Sequence, residues 1–104
     1  MSDFMKEHYS QPEFRIVAPA INQYETKKIF STPANQPSCH RYVEDIMREE
    51  GTPFREGYDE KGFLLADGRF VMRKAAMMIA QCNGQCEKPK HPGQGLFSDD
   101  LWEL

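Results

Sequence analysis

The chain has 104 residues, 39% of them apolar, with 13 basic against 16 acidic side chains for a net charge of −3. That length fits one domain burying roughly two-thirds of its unfolded surface, a modest core of the kind that subunit association helps. The acidic balance excludes a general nucleic-acid binder, which needs a basic field to displace counterions, and no run approaches the roughly twenty apolar residues of a membrane span.

Residues 1–12 are polar and close on Gln11-Pro12, so a flexible arm is expected before a single domain over 13–104. Met1 to His8 contains no apolar run of signal-peptide length, and three cysteines cannot all pair within one chain. Reduced thiols in a cytoplasmic compartment are therefore expected. Glu13 to Ala18 alternates as a strand does, placing Phe14, Ile16 and Ala18 on one face. Pro19, which cannot donate to a ladder, should make this an edge strand or end it. Lys28 to Ser31 is a second extended candidate, and an antiparallel hairpin joins the two economically.

Thr32 to Pro37 is loop by composition. Ser38 then reads as the N-cap of a helix running from Cys39 to Glu50, with Gly51 at its C′ position. Cys39, Tyr42, Val43, Ile46 and Met47 form its apolar stripe. Thr52 to Lys61 carries two aromatics, Phe54 and Tyr58, in a polar setting. From Gly62 to Ala66 the residues read as a central strand, and Asp67-Gly68 supplies the tight turn. A short extended piece leads into a second helix at about Arg73 to Asn83, ended by Asn83-Gly84. The cluster Leu96 to Trp102 should dock, since exposed Phe and Trp would make an adhesive patch. The class expected is α+β: a small antiparallel sheet, hairpin plus central strand, packed with two helices and a docked C-terminal tail.

Positive side chains beside the free N–H groups of a helix start make an anion site. Arg69 and Arg73 bracket such a start. Cys82, Cys86 and His91, with Cys39 and His40, offer soft metal ligands, but C-x3-C followed by His is not a strong zinc spacing. No nucleophile elbow, phosphate-cradling glycine loop or metalloprotease helix is present, so neither catalysis nor a cofactor is expected.

The pattern Gly62-Phe63, Gly68-Arg69-Phe70-Val71, Arg73, Ala75, Ile79-Ala80, Gly84-Gln85, closed by Leu96-Phe97-Ser98-Asp99-Asp100-Leu101-Trp102, resembles a set of small phage proteins over residues 58–102. The family is identified as the phage-encoded anti-Thoeris sponges of the first type. These bind, without destroying, the cyclic ADP-ribose signal of bacterial TIR-domain enzymes, and members hold cyclic oligonucleotides as well. The resemblance implies a homo-oligomer, dimer to hexamer, acting in the host cytoplasm on a cyclic nucleotide, with no nucleic-acid polymer or membrane as partner. Two positions depart from the family, which carries a capping Asp or Ser at Met72 and an acid at Lys74. This helix start should be weaker by about 0.5–2 kcal/mol, a loss that a bound anion would offset.

Such a ligand wants an aromatic for its purine, arginine for its pyrophosphate and carboxylates for its hydroxyls. Tyr58, Arg69 with Arg73, and Asp99 or Asp100 are the candidates, with His40 and Lys88 behind them. Each has a plainer role available: Tyr58 as a lid on the core, the arginines solvated or paired with Glu44 and Asp45, the aspartates capping a last turn. A second functional class fits the same chain, a protein-binding inhibitor of the anti-CRISPR kind that covers a host protein through its acidic face or aromatic tail.

Overall fold

The structure is a computed structural model describing residues 3–103. It is an α+β protein whose four-stranded antiparallel sheet has the order β2-β1-β3-β4. The strands are β1 (Ile16–Asn22), β2 (Ile29–Ser31), β3 (Glu60–Leu65) and β4 (Phe70–Met72). The helices are α1 (Asp3–Tyr9), α2 (His40–Glu49) and α3 (Arg73–Asn83).

Paired residues share a face, so Ile16 with Leu65, Pro19 with Phe63 and Ile21 with Phe30 all point to one side. That side holds both helices. α3 buries Ala76, Ile79 and Ala80 against Ile16, Phe63 and Leu65, while α2 buries Val43 and Met47 against Ile21 and Phe30. On the opposite face the Phe70 ring lies across Gly62, where an added Cβ would stand 2.6 Å from the ring and 2.2 Å from the Val71 carbonyl.

β1 is a central strand, against the expectation that Pro19 would mark an edge or an end. Gln23 N–H donates to Lys28 O at 2.9 Å, so alternate residues back to Pro19 turn their backbone groups toward β2. The register with β2 stops at Ala20 opposite Ser31. Pro19 lies one residue beyond, where its missing donor interrupts no pair. A bulge between Ile16 and Ala18 frees the Ile16 backbone, and Gln85 completes it, accepting from Ile16 N at 2.7 Å and donating to Ile16 O at 3.0 Å.

Residues 3–9 of the expected arm form α1, which packs against α3 while burying none of its own residues; Met1 and Ser2 lie outside the described residues. α2 starts one residue later than a Ser38 cap requires. Cys39 holds the N-cap position with no side-chain cap, and Ser38 is buried. Its other end follows the sequence: Gly51 at φ 81° lets its own N–H reach Arg48 O at 3.1 Å and Thr52 N–H reach Met47 O at 2.9 Å. The tail docks through Leu96, which is fully buried in the α3 cluster.

Candidate functional site: the start of α3

Met72 occupies the N-cap position of α3 with extended backbone and no side-chain cap. The first-turn N–H groups therefore face outward unclaimed by a cap. They open on a cleft of about 400 Å³ lined by Phe54, Glu56, Asp59, Glu60, Lys61, Met72, Arg73 and Lys74. Arg73 is half-buried. Its Nη1 donates to Leu96 O at 2.9 Å, its guanidinium lies 4.2 Å from the Phe97 ring centre, and burial holds its pKa below the ordinary value. Lys61 Nζ stands 4.8 Å from the Phe54 ring centre and 3.7 Å from Glu44.

The cleft's acids are not equivalent. Asp59 is buried, one oxygen accepting from Tyr24 N at 2.9 Å and the other from Arg55 N at 2.8 Å. Those bonds hold the loop without neutralising the carboxylate, so Asp59, Glu56 and Glu60 balance Lys61, Arg73 and Lys74 in the lining. With Lys61 shared with Glu44, the groups that suit a phosphorylated ligand bearing a flat base are the helix start, Arg73, Lys74 and the Phe54 ring.

From Arg73 the tail runs as a strap to the interior. Ser98, buried at 6% exposure, holds its Oγ 2.9 Å from Nδ1 of His40. Nε2 of His40 sits 2.7 Å from Gly62 O, which can only accept. That contact assigns the proton to Nε2, so Ser98 donates to Nδ1. Burial chiefly, with Arg73 and Lys61 adding to it against the Gly62 bond, presses the His40 pKa down to about 4. The ring is neutral at pH 7 and serves as a latch between α2, β3 and the tail.

The sequence candidates divide accordingly. Arg73 is in the cleft, Asp100 is in the strap, and His40, at the start of α2, holds the strap through Ser98. Asp100 accepts from the Phe97 and Lys90 N–H groups, both at 2.9 Å, which is the capping role. Asp99 is exposed and pairs with Lys90 at 3.3 Å. The structure does not bring Tyr58, Arg69 or Lys88 to this cleft. The Tyr58 ring sits 5.9 Å from that of Tyr24, with Arg55 stacked on it at 4.5 Å. Arg69 is at the opposite end of β3, about 20 Å away for six residues. There the Asp67-Gly68 turn locks it: its Nε lies 2.6 Å from Asp67 and its guanidinium 4.9 Å from the Phe14 ring centre. The Asp67 carboxyl, accepting both the Arg69 N–H and its side chain, is held below its ordinary pKa. Lys88 is exposed in the loop after Cys86. The acids Glu44 and Asp45 pair with Lys61 and Arg48 instead of the two arginines. Among the described residues no three His, Cys, Asp or Glu side chains converge as metal ligands.

Sequence reasoning missed Phe54 and Lys61, and did not offer Glu56, Glu60 or Lys74 as site residues. The signal was an aromatic and a lysine bracketing the loop before the central strand, with Tyr58 the more conspicuous ring.

Fold and site together define a small α+β protein with a cleft of mixed charge at an uncapped helix start. The chain belongs to the phage T4 y16D protein family, whose profile matches residues 15–102. It is thus a phage protein. No curated protein and no solved structure matches it. None of the described helices is long and apolar enough to cross a membrane.

Proposed function

We propose that this phage protein binds a cyclic nucleotide immune signal of the bacterial host and holds it without cleaving it, in the manner of the anti-Thoeris sponges its sequence resembles. The observation that carries the reading is the uncapped start of α3, where Arg73 and Lys74 share a cleft with Lys61 and Phe54. A helix lacking a cap loses about 1 kcal/mol. A bound phosphate would take the same N–H groups and offset that loss. Phe54 stacks the base, and Glu56 or Glu60 accepts hydrogen bonds from ribose hydroxyls. Sequestration acts by mass action in the host cytoplasm, so the protein must exceed its ligand and bind at nanomolar affinity, about −12 kcal/mol. An oligomer of this chain that closed over the cleft would supply such retention. Calorimetric titration with cyclic ADP-ribose isomers and cyclic di- and trinucleotides tests it, with one member of the panel expected to bind at nanomolar affinity. Heat signals at the dilution baseline for every member would end the proposal.

A second reading has its own observation. Tyr24 and Tyr58 are 56% and 53% exposed and adjacent, with Arg55 stacked on Tyr58, a composition typical of interface hot spots. On that reading the patch covers a host defence protein, and a bacterial protein is retained by the wild type but lost from Tyr24→Ala/Tyr58→Ala.

A further inference from the structure

Consecutive tail residues close on Arg73. Gly95, at φ 105°, lies so near the α3 start that an added Cβ would stand 2.6 Å from the Arg73 carbonyl carbon. Leu96 donates its N–H to Arg73 O at 2.9 Å, and its own carbonyl accepts from Arg73 Nη1 at 2.9 Å. The guanidinium then lies over the Phe97 ring, 4.2 Å from its centre. That leaves Nε and Nη2 of Arg73 without a hydrogen-bond partner among the described residues.

The place of the ring does not depend on the arginine. Asp100 accepts from the Phe97 N–H at 2.9 Å and fixes its backbone, and the His91 ring meets the Phe97 ring edge to face with centres 5.1 Å apart. Leu96, fully buried, pins the residue before it. Phe97 is therefore a platform, and the long arginine side chain is the part that is held, by attraction between cation and ring face. Its rotamer freedom is lost on folding instead of on binding, which is the condition for tight capture of a ligand. The unpartnered Nε and Nη2 form the kind of edge that a bidentate phosphate contact uses.

We propose that Phe97 is a positioning residue for a phosphate-contacting arginine: its ring and the Leu96 carbonyl hold the Arg73 guanidinium in one orientation, with Nε and Nη2 kept for an anion in the α3 cleft. The tail is on this account part of the site, although none of Gly95, Leu96 and Phe97 lines the cleft. The assignment rests on the α3 cleft being the ligand site and on nothing particular to a cyclic nucleotide.

Heteronuclear NMR of the Arg73 Nε–H group in the full chain tests it, with inorganic pyrophosphate as the anion. In the wild type the signal should be resolved, slow to exchange with water, and shifted saturably by pyrophosphate. Phe97→Leu should broaden the signal and weaken pyrophosphate about tenfold, with the melting temperature nearly unchanged. Phe97→Tyr, which keeps a ring in place, should restore both. Gly95→Ala, which pushes the tail backbone off Arg73 without altering either side chain, should reproduce the leucine result. An Nε–H signal unaltered in Phe97→Leu, equal pyrophosphate affinity in that variant and the wild type, or no shift of the signal with pyrophosphate would overturn the assignment. If pyrophosphate behaves as expected while every cyclic nucleotide fails to bind, sequestration falls and the positioning role of Phe97 stands.

Discussion

Ser98 gives its hydroxyl proton to Nδ1 of His40 across 2.9 Å, and the same imidazole gives its Nε2 proton to the Gly62 carbonyl across 2.7 Å. Residues 40, 62 and 98 are thereby tied by one neutral ring, which seats the tail beside α3 and fixes Phe97 under the Arg73 guanidinium at 4.2 Å. Nucleotide retention in the proposed cleft rests on that placement.

Protonating His40 would bury a charge beside Arg73 and Lys61 and turn Ser98 from donor to acceptor at Nδ1. Its folded pKa of about 4 lies below the 6.5 of an unperturbed histidine, so the unfolded chain takes up the proton first. Stability from the neutral ring is complete above pH 6.5, declines as pH falls from 6.5 to about 4, and is flat below. The full loss is about 3 kcal/mol, ~1.4 kcal/mol per pH unit. Between about pH 7.5 and about pH 5, urea unfolding of the wild type should lose about 2 kcal/mol more than that of His40→Gln. Parallel losses in the two proteins would show that the ring titrates as an exposed one does.

Gly62 has no room for a methyl group. A Cβ there would stand 2.2 Å from Val71 O, which is backbone and cannot step aside. Gly62→Ala should destabilise by about 3 kcal/mol or prevent folding, because β4 and the α3 start it carries must move away. A melting temperature within a degree or two of wild type would mean that β4 is not held where it is described.

Met72→Asp should separate stability from binding. The carboxylate caps α3 and raises stability by about 1 kcal/mol, and it occupies the donors a ligand phosphate would use, weakening nucleotide binding about tenfold. Thermal melting and calorimetry on the same preparation check both halves. Higher stability with unchanged affinity would place the ligand elsewhere.

Arg69 and Lys74 should respond differently. Arg69 is held by Asp67 at the far end of β3, so Arg69→Ala should alter nucleotide affinity by less than about twofold, whereas Lys74→Ala, which removes an exposed cation from the cleft, should weaken it about tenfold. Competition binding with a labelled cyclic nucleotide ranks them. The reverse order would return Arg69 to the site and remove the α3 cleft from it.

The parts of the fold visible in the sequence are those set by local chemistry. Asn83-Gly84 and Gly51 ended helices because only residues tolerant of positive φ can close them, and Ile79 with Ala80 marked the buried face of α3. Pro19 misled because its edge rule is about which side of the strand lacks a donor, and strand order is not local. Ser38 misled similarly: tertiary packing buried it and left the cap to Cys39. Gln85 looked like the residue after a helix stop, but it pairs with Ile16, 69 positions away. For the site, Arg73 and the missing cap at Met72 were legible. That Tyr58 would pack on Tyr24 while Phe54 reached the cleft depended on how the loop folds back through Asp59.

The most direct test of sequestration is recovery of the ligand. Purified protein in excess should deplete a cyclic nucleotide signal from solution, and boiling the complex should return it chemically intact and in full. A free-ligand concentration that does not fall on mixing, or the release of hydrolysed product on boiling, would contradict the account.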